Sequence, residues 1–414
     1  MLTRPRPLPL TLIATTLVAL CAAGKAEAQD SRSQLEPPQP ENPILRFERP
    51  RQWRVRSRIT LIPTTPPEDY TPVADARWRV DVGAVVFPFI RATASATGDD
   101  QSLEGFVSVT DEKVALAPRL IIGFHSLAEY AAWEFGRVEV TSIRMEQQAD
   151  LIAWETVYDE DAANAVAWPK GPWPPEAAST FGPQQFVSPV PSSINNEGPV
   201  NALLAAWTEG NDPKSIAPAR LAKFLAGRVQ EHVRIVRPPS TTEPSADRFA
   251  EPVGVNVLTG LDLQTTDETA LLREGTKHDL TSLLAAVYRA AGLPARIVIG
   301  YDRREPTRER LRSWVEFCLI DEPTGSVVWI PVDIARIRER SNRAADLDRP
   351  WEFFGTHDEL DDIPPLALHY HPPMDVRAYN APALYGWIAA PGIPVYARQF
   401  LNVDVTRTPT RGAD

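Results

Sequence analysis

From Trp53 onward the chain alternates. Trp53, Val55, Ser57, Ile59 and Leu61 share one parity, and Arg54, Arg56, Arg58 and Thr60 share the other. Successive strand side chains point to opposite faces, so this pattern predicts a half-buried strand with an arginine-bearing outer face. Residues Trp78–Val82 repeat the pattern, and Val107–Val109, Leu120–Phe124, Val138–Ile143 and Leu151–Val157 read as further strands. One stretch, Ser126–Glu134, reads as a short helix. Short strands separated by Pro, Gly and Asp predict an antiparallel β-sandwich over residues 51–165.

Residues 166–200 break the alternation with a proline-dense connector that contains Trp168-Pro169-Lys170-Gly171-Pro172-Trp173-Pro174-Pro175. Proline at this density blocks helix interiors and central strands. The stretch reads either as a stiff linker or as a tryptophan-bearing loop beside a groove. Helical spacing follows in Pro218–Val233, where Leu221, Phe224, Leu225 and Val229 form one stripe. Gly260–Asp267 reads as a loop. The best-defined helix takes Asp279 as its cap and carries Leu280, Leu283, Leu284, Val287 and Tyr288 on one face. Gly292 should end it, with Pro294 two positions on. Ala295–Tyr301, Ser313–Ile320 and Val327–Val332 read as strands, and Arg303–Arg312 as a charged loop. A helix followed by three strands predicts an α+β domain over residues 201–345. Residues 346–414 form an extension expected to pack on that core, with a last strand at Phe400–Val405.

The first residues are of another kind. Arg4 and Arg6 precede the apolar run Leu8–Ala23, and Ala26-Glu27-Ala28 has the small-x-small form of a cleavage site. Residues 1–28 are therefore expected to be a signal peptide, and the protein to be exported to the periplasm or beyond. A lipid anchor at Cys21 is disfavoured by Leu20 before it. Residues 29–50, rich in Pro, Glu, Gln and Ser, read as a disordered leader. No apolar run reaches the roughly 20 residues of a membrane span. The net charge of −11, without a basic stripe, argues against nucleic acid and anionic membranes as partners. Only Cys318 lies beyond the leader, which excludes an internal disulfide and zinc sites built on cysteine pairs.

The motifs are more specific. Gly275-Thr276-Lys277-His278-Asp279, the helix after it, and Arg289-Ala290-Ala291-Gly292-Leu293-Pro294-Ala295-Arg296-Ile297-Val298-Ile299-Gly300-Tyr301 resemble the transglutaminase-like superfamily of papain-like cysteine enzymes. Arg312-Ser313-Trp314-Val315-Glu316 resembles the family's His-Ala-Trp-Val-Glu strand, and Trp329-Ile330-Pro331-Val332-Asp333 its Trp-x-x-x-Asp strand. The resemblance implies a papain-like α+β core behind the sandwich. It also implies a thiolate at a helix N-terminus, a histidine that moves protons, and a carboxylate that orients the histidine. Carried over position by position, the cysteine is Lys277, the histidine is Arg312 and the carboxylate is Asp333. Only the carboxylate remains.

The resemblance with this departure implies an inactive protein, without a cofactor, that binds or assembles with a peptide or protein ligand. The alternative is an active acyltransferase, peptidase or amidase with a relocated catalytic group. Candidates for that group are the hydroxyls of Thr276, Thr281 and Ser282, the imidazoles of His278 and His357, and the thiol of Cys318. His369 and His371, two apart, would share a strand face as a metal pair, but no third ligand is evident. If Arg312 and Asp333 form a salt bridge with Lys277 in the same cleft, the site would favour an anionic ligand such as a peptide carboxylate. Otherwise the cleft has filled in and its charges are satisfied locally.

Overall fold

Alternation in the N-terminal half builds strands β1 (Leu45–Pro63), β2 (Trp78–Val80), β3 (Val82–Phe89), β4 (Ala96–Val109), β5 (Glu112–Leu116), β6 (Arg119–Phe124), β7 (Ala128–Phe135), β8 (Val138–Val140) and β9 (Ser142–Tyr158). Next come helices α1 (Glu160–Asn164), α2 (Pro175–Ala178), α3 (Pro199–Trp207) and α4 (Pro218–His232), strand β10 (Arg234–Ile235), helix α5 (Thr266–Leu272) and strand β11 (Glu274–Gly275). The core motif region holds α6 (Lys277–Ala290), β12 (Ala295–Tyr301), β13 (Leu311–Asp321), β14 (Ser326–Val332) and α7 (Ile334–Arg340). Strands β15 (Pro365–Ala367), β16 (Gly386–Ala390) and β17 (Ala397–Arg407) complete the chain. The structure is a computed structural model, and it describes residues 37–40, 42–63, 77–89, 92–109, 112–124, 128–182, 198–236, 261, 263–305, 310–321, 324–368, 370, 384–390 and 397–408.

Two antiparallel sheets, β17-β1-β9-β4-β5 and β16-β3-β7-β6, form the N-terminal part. Val55, Ile59 and Leu61 of β1 and Ile143, Met145 and Leu151 of β9 join Val85, Phe87, Ala131 and Trp133 in one buried cluster. Gly105 on β4 is required by this packing, since a Cβ there would overlap the Trp133 ring and the Met145 sulfur. The reverse face of the β3–β7 pair is buried too. There Val86, Tyr130 and Ala132 meet Val298 and Trp314 of the core. Burial on both faces hides this strand from the sequence pattern. Residues 126–134 were expected to be helical, but Ala128–Phe135 is a strand paired with β3 from Gly83↔Phe135 to Phe89↔Glu129. A strand covered on both sides loses its period-two signal, and Tyr130-Ala131-Ala132-Trp133 shows none.

Two expected boundaries shift. Residues 45–50, assigned to the leader, belong to β1, and Ile44 and Leu45 are buried. Pro50 is accommodated by a bulge between Glu48 and Arg51, next to Arg49 at φ +48°. Residues 346–414, expected to pack on the core, add strands to the core sheet and to both N-terminal sheets. β15 pairs with β12, β16 with β3, and β17 with β1 from Trp53↔Arg407 to Pro63↔Ala397. Without β17, β1 would be an unpaired edge. Residues 35–414 consequently form a single compact unit.

The described part of the proline-rich connector, through residue 182, is fastened at its two tryptophans. The Trp168 indole N–H donates to the Ile216 carbonyl at 2.7 Å and that of Trp173 to the Gly292 carbonyl at 3.2 Å. In the core, α6 packs on the antiparallel sheet β14-β13-β12-β15. The helix is capped by Thr276, not Asp279. The Thr276 hydroxyl accepts from the Asp279 N–H, and the Asp279 carboxylate accepts from the Thr276 N–H at 2.7 Å. Thr265 and Glu268 form the same reciprocal box, so α5 starts at Thr266 inside the stretch expected to be a loop. Gly292, at φ +82°, ends α6 as expected. No helix among the described residues is long and apolar enough to cross a membrane.

One leader residue seals the edge of the core sheet. The Gln39 carboxamide accepts from the Trp329 N–H at 2.8 Å and donates to the Trp329 and Ala94 carbonyls at 3.0 and 2.9 Å. Gln39→Ala leaves these buried backbone groups without that partner. The expected loss is about 1–3 kcal/mol in urea denaturation, with faster hydrogen exchange at the Trp329 amide.

Candidate functional site

The start of β13, the end of β14 and the loop after α7 bring charges together. Arg312 Nε donates to Asp333 Oδ2 at 2.6 Å, and Nη1 donates to Glu359 Oε2 at 2.8 Å and Asp302 Oδ2 at 3.2 Å. The Arg312 side chain is 9% exposed, and those of Asp333 and Asp302 are fully buried. Asp333 is also the N-cap of α7, its Oδ1 accepting from the Arg336 N–H at 3.0 Å. Arg304 pairs with Asp302 at 2.9 Å, and Arg336 with Glu305 at 3.1 Å and Glu339 at 3.0 Å. Burial works to raise the pKa of Asp333, but the Arg312 charge, His357 and the helix N–H hold it well below the carboxylate range.

Lys277 opens α6 beside this network but does not reach Asp333. Its Nζ pairs with Glu339 Oε1 at 2.6 Å, and Glu339 and Arg336 link it to the Arg312 group. In this network Asp302, Glu305, Asp333, Glu339 and Glu359 face Lys277, Arg304, Arg312 and Arg336. Each of the four cations has a carboxylate partner, and the carboxylates are in excess. Among the described residues this is the locally satisfied arrangement of charges, with Arg312 Nη2 left buried without a hydrogen bond, and it does not favour an anionic ligand. The sequence had offered no sign of Asp302, Glu339 and Glu359 as partners, because ion pairs across loops leave no periodic trace.

Two imidazoles come close. His357 is fully buried, with Nε2 3.6 Å from Asp333 Oδ2 and its ring edge-on to Phe353. Its Nδ1 accepts from the Glu359 N–H at 3.3 Å, which assigns the proton to Nε2, facing Asp333. Burial lowers its pKa, against the raising effect of the Asp333 carboxylate. His278 Nδ1 lies 2.8 Å from Ser313 Oγ, and Ser313 Oγ donates to Thr281 Oγ1 at 3.1 Å. Burial, then the Lys277 charge, push the pKa of His278 down to about 4. This hydroxyl–imidazole contact was missed because the two residues are 35 positions apart. With Ser313 only 3% exposed, the hydroxyl has little access to substrate.

The remaining candidates are not drawn in. Thr276 caps α6 and Ser282 is buried on it. Cys318 is six residues beyond Arg312 on β13, roughly 20 Å along the strand, and packs against Ala94, Ala177 and Trp329. Burial pushes its thiol pKa up. It should therefore resist alkylation by iodoacetamide in the native protein and be modified within minutes in denaturant, as peptide mapping would show. His369 and His371 lie outside the described residues. Among the described residues no group of three His, Cys, Asp or Glu side chains could hold a metal ion.

A buried helix whose N-terminus meets an antiparallel sheet, with a carboxylate at the end of β14, is the frame of a transglutaminase-like core. Residues 215–334 match the family model of the transglutaminase-like superfamily, and the match includes Lys277, Arg312 and Asp333. The chain therefore carries a transglutaminase-like core, enclosed by the N-terminal sheets and the returning C-terminal strands. No curated protein matches it in sequence. Among solved structures it is similar to a "putative cysteine protease" from Cytophaga hutchinsonii, with 13% identity and a TM-score of 0.49 over 89% of this chain and 94% of that one. A "putative protease" from Parabacteroides distasonis aligns at 8% identity with a TM-score of 0.21, over 70% of this chain and 62% of that one.

Proposed function

We propose that this is an exported, non-catalytic transglutaminase-like protein that serves as a binding or assembly module for a peptide or protein. The observation that carries the reading is Arg312. It stands where the family has its histidine, and its guanidinium is bonded to Asp333, Asp302 and Glu359. Arginine does not act as a general base in this setting, because its pKa exceeds ~12. Lys277, in the cysteine position, is an ion-paired ammonium, and a protonated amine is no nucleophile. Export is supported by the basic, apolar and Ala26-Glu27-Ala28 sequence of the first 28 residues.

The test is turnover. The purified protein is incubated with a fluorescent amine and a glutamine-rich acceptor, and separately with a peptide library. No product above the no-enzyme blank is the expected result. Turnover that vanishes in Lys277→Ala, His357→Ala or Cys318→Ser overturns the reading. The enzymatic alternative draws on one observation, the 3.6 Å approach of His357 to Asp333. In that reading His357 acts as the relocated base, and the His357→Ala variant isolates its contribution.

A further inference from the structure

A second candidate site lies away from the charged network, at the outer edge of the core sheet. β14 is the outermost strand of the order β14-β13-β12-β15, and a strand edge is a template for pairing with another segment. Toward its C-terminal end that edge is closed by backbone, since the Gly355 N–H donates to the Pro331 carbonyl at 2.8 Å. At Trp329 it is closed by a side chain, that of Gln39 in the leader. The Trp329 N–H can only donate, so it fixes the carboxamide oxygen toward itself and the nitrogen toward the Trp329 and Ala94 carbonyls. This seat is fixed from behind. The Ala94 N–H donates to Glu316, and the Arg296 guanidinium lies 4.2 Å above the Trp329 ring. Trp329 stands four residues before Asp333, roughly 13 Å along the chain.

The leader occupies this seat without filling the groove around it. Beside Pro38, Gln39 and Pro40 a cavity of about 340 Å³ remains, walled by Phe89, Trp329 and Leu368. A larger apolar side chain next to the glutamine would gain that space. Proline on either side of the glutamine has a physical use. Its fixed φ reduces the freedom lost when an extended segment is ordered, and aromatic-lined grooves take proline-rich segments by this means. The carboxamide is required because it accepts and donates at once, whereas a carboxylate would set negative oxygens against two carbonyls. We propose that this groove is a docking site for a proline-flanked glutamine segment of a partner protein, and that the leader holds it in cis as a stand-in for that ligand. The proposal deepens the binding-module reading, and rests on it only in taking the ligand to be a peptide.

The experiment is fluorescence anisotropy of a labelled peptide with the sequence of residues 35–43, Leu-Glu-Pro-Pro-Gln-Pro-Glu-Asn-Pro, added to the full protein and to its Gln39→Ala variant. The variant empties the seat and keeps the rest of the chain, with circular dichroism as the check on its fold. The peptide should bind the variant at least ten-fold more tightly than the unaltered protein, where the leader competes in cis. Peptides with glutamate or alanine for the glutamine should bind the variant at least ten-fold more weakly. Hydrogen exchange locates the contact. The Trp329 amide, which exchanges faster in Gln39→Ala, should be slowed again by the glutamine peptide and not by the glutamate peptide. Pro38→Gly/Pro40→Gly keeps Gln39 but frees the leader backbone, and its affinity for the peptide should be intermediate; it serves as the test if Gln39→Ala does not fold. The proposal is overturned if the peptide binds neither protein, if it binds the variant and the unaltered protein equally, if the glutamate or alanine peptide binds as tightly, or if exchange at Trp329 is not slowed. Each of these leaves the non-catalytic reading as it was, whereas turnover in the amine assay overturns that reading and leaves the groove in place.

Discussion

Arg312→Ala is expected to cost about 3–5 kcal/mol of folding stability, the size of effect seen when one partner of a buried ion pair is removed. The substitution leaves Asp333 and Asp302 fully buried, with Glu359 beside them, and takes away the guanidinium that reaches all three. Arg304 and Arg336 still approach Asp302 at 2.9 and 3.9 Å, so Asp333 suffers most. The pH dependence has a defined sign. Asp333 has a pKa depressed below its unfolded value of about 3.9. It therefore contributes stability that is present above pH ~4 and lost as pH falls toward the lower folded value. Without Arg312, burial dominates and raises that pKa, so the deficit of the variant should narrow as pH is lowered and the carboxyl protonates. Urea denaturation of both proteins between pH 7 and pH 4 measures this. A deficit under 1 kcal/mol at pH 7, or one that widens in acid, contradicts the account. Arg312→His restores the family residue but not its setting, since an imidazole cannot reach three carboxylates at once. It should also lose stability.

Glu316→Ala should have a comparable effect for a different reason. Glu316 Oε2 accepts from Arg296 Nε and Nη2, both at 2.8 Å, while Oε1 accepts from the Ala94 N–H at 2.8 Å and the Trp314 indole N–H at 3.3 Å. One carboxylate thus holds the core strands to the segment leading into β4. Alanine leaves Arg296, 5% exposed, as a buried cation without its carboxylate, for a cost of about 3–5 kcal/mol. The double variant Arg296→Met/Glu316→Leu removes the unpaired charge and should recover part of that loss, because apolar isosteres of buried ion pairs are often tolerated. If the double variant is no better than the single one, the lost acceptor for Ala94 and Trp314 accounts for the effect instead. Glu316→Gln retains an acceptor at Oε1 and should lie between the two.

The parts that the sequence determined unaided are those with a local cause. Strand β12 runs from Ala295 to Tyr301 as its apolar run predicts, and β13 and β14 differ from expectation by one or two residues at their ends. Helix α6 carries its apolar stripe inward, because side chains three and four apart share a face. The identities of Lys277, Arg312 and Asp333 at the family's positions were legible too, since motif spacing is a property of the chain. Tertiary structure alone decided what those residues do. Lys277 turned to Glu339, and Arg312 gathered Asp302 and Glu359 as well as Asp333. His357 arrived beside Asp333 through a bridge between its own backbone and Thr156 of β9. The return of β16 and β17 to the N-terminal sheets, and the strand at β7, were equally invisible in advance. The reason is common to all of these. Pairings between residues tens or hundreds of positions apart depend on which surfaces meet, and neither periodicity nor capping within one segment records that.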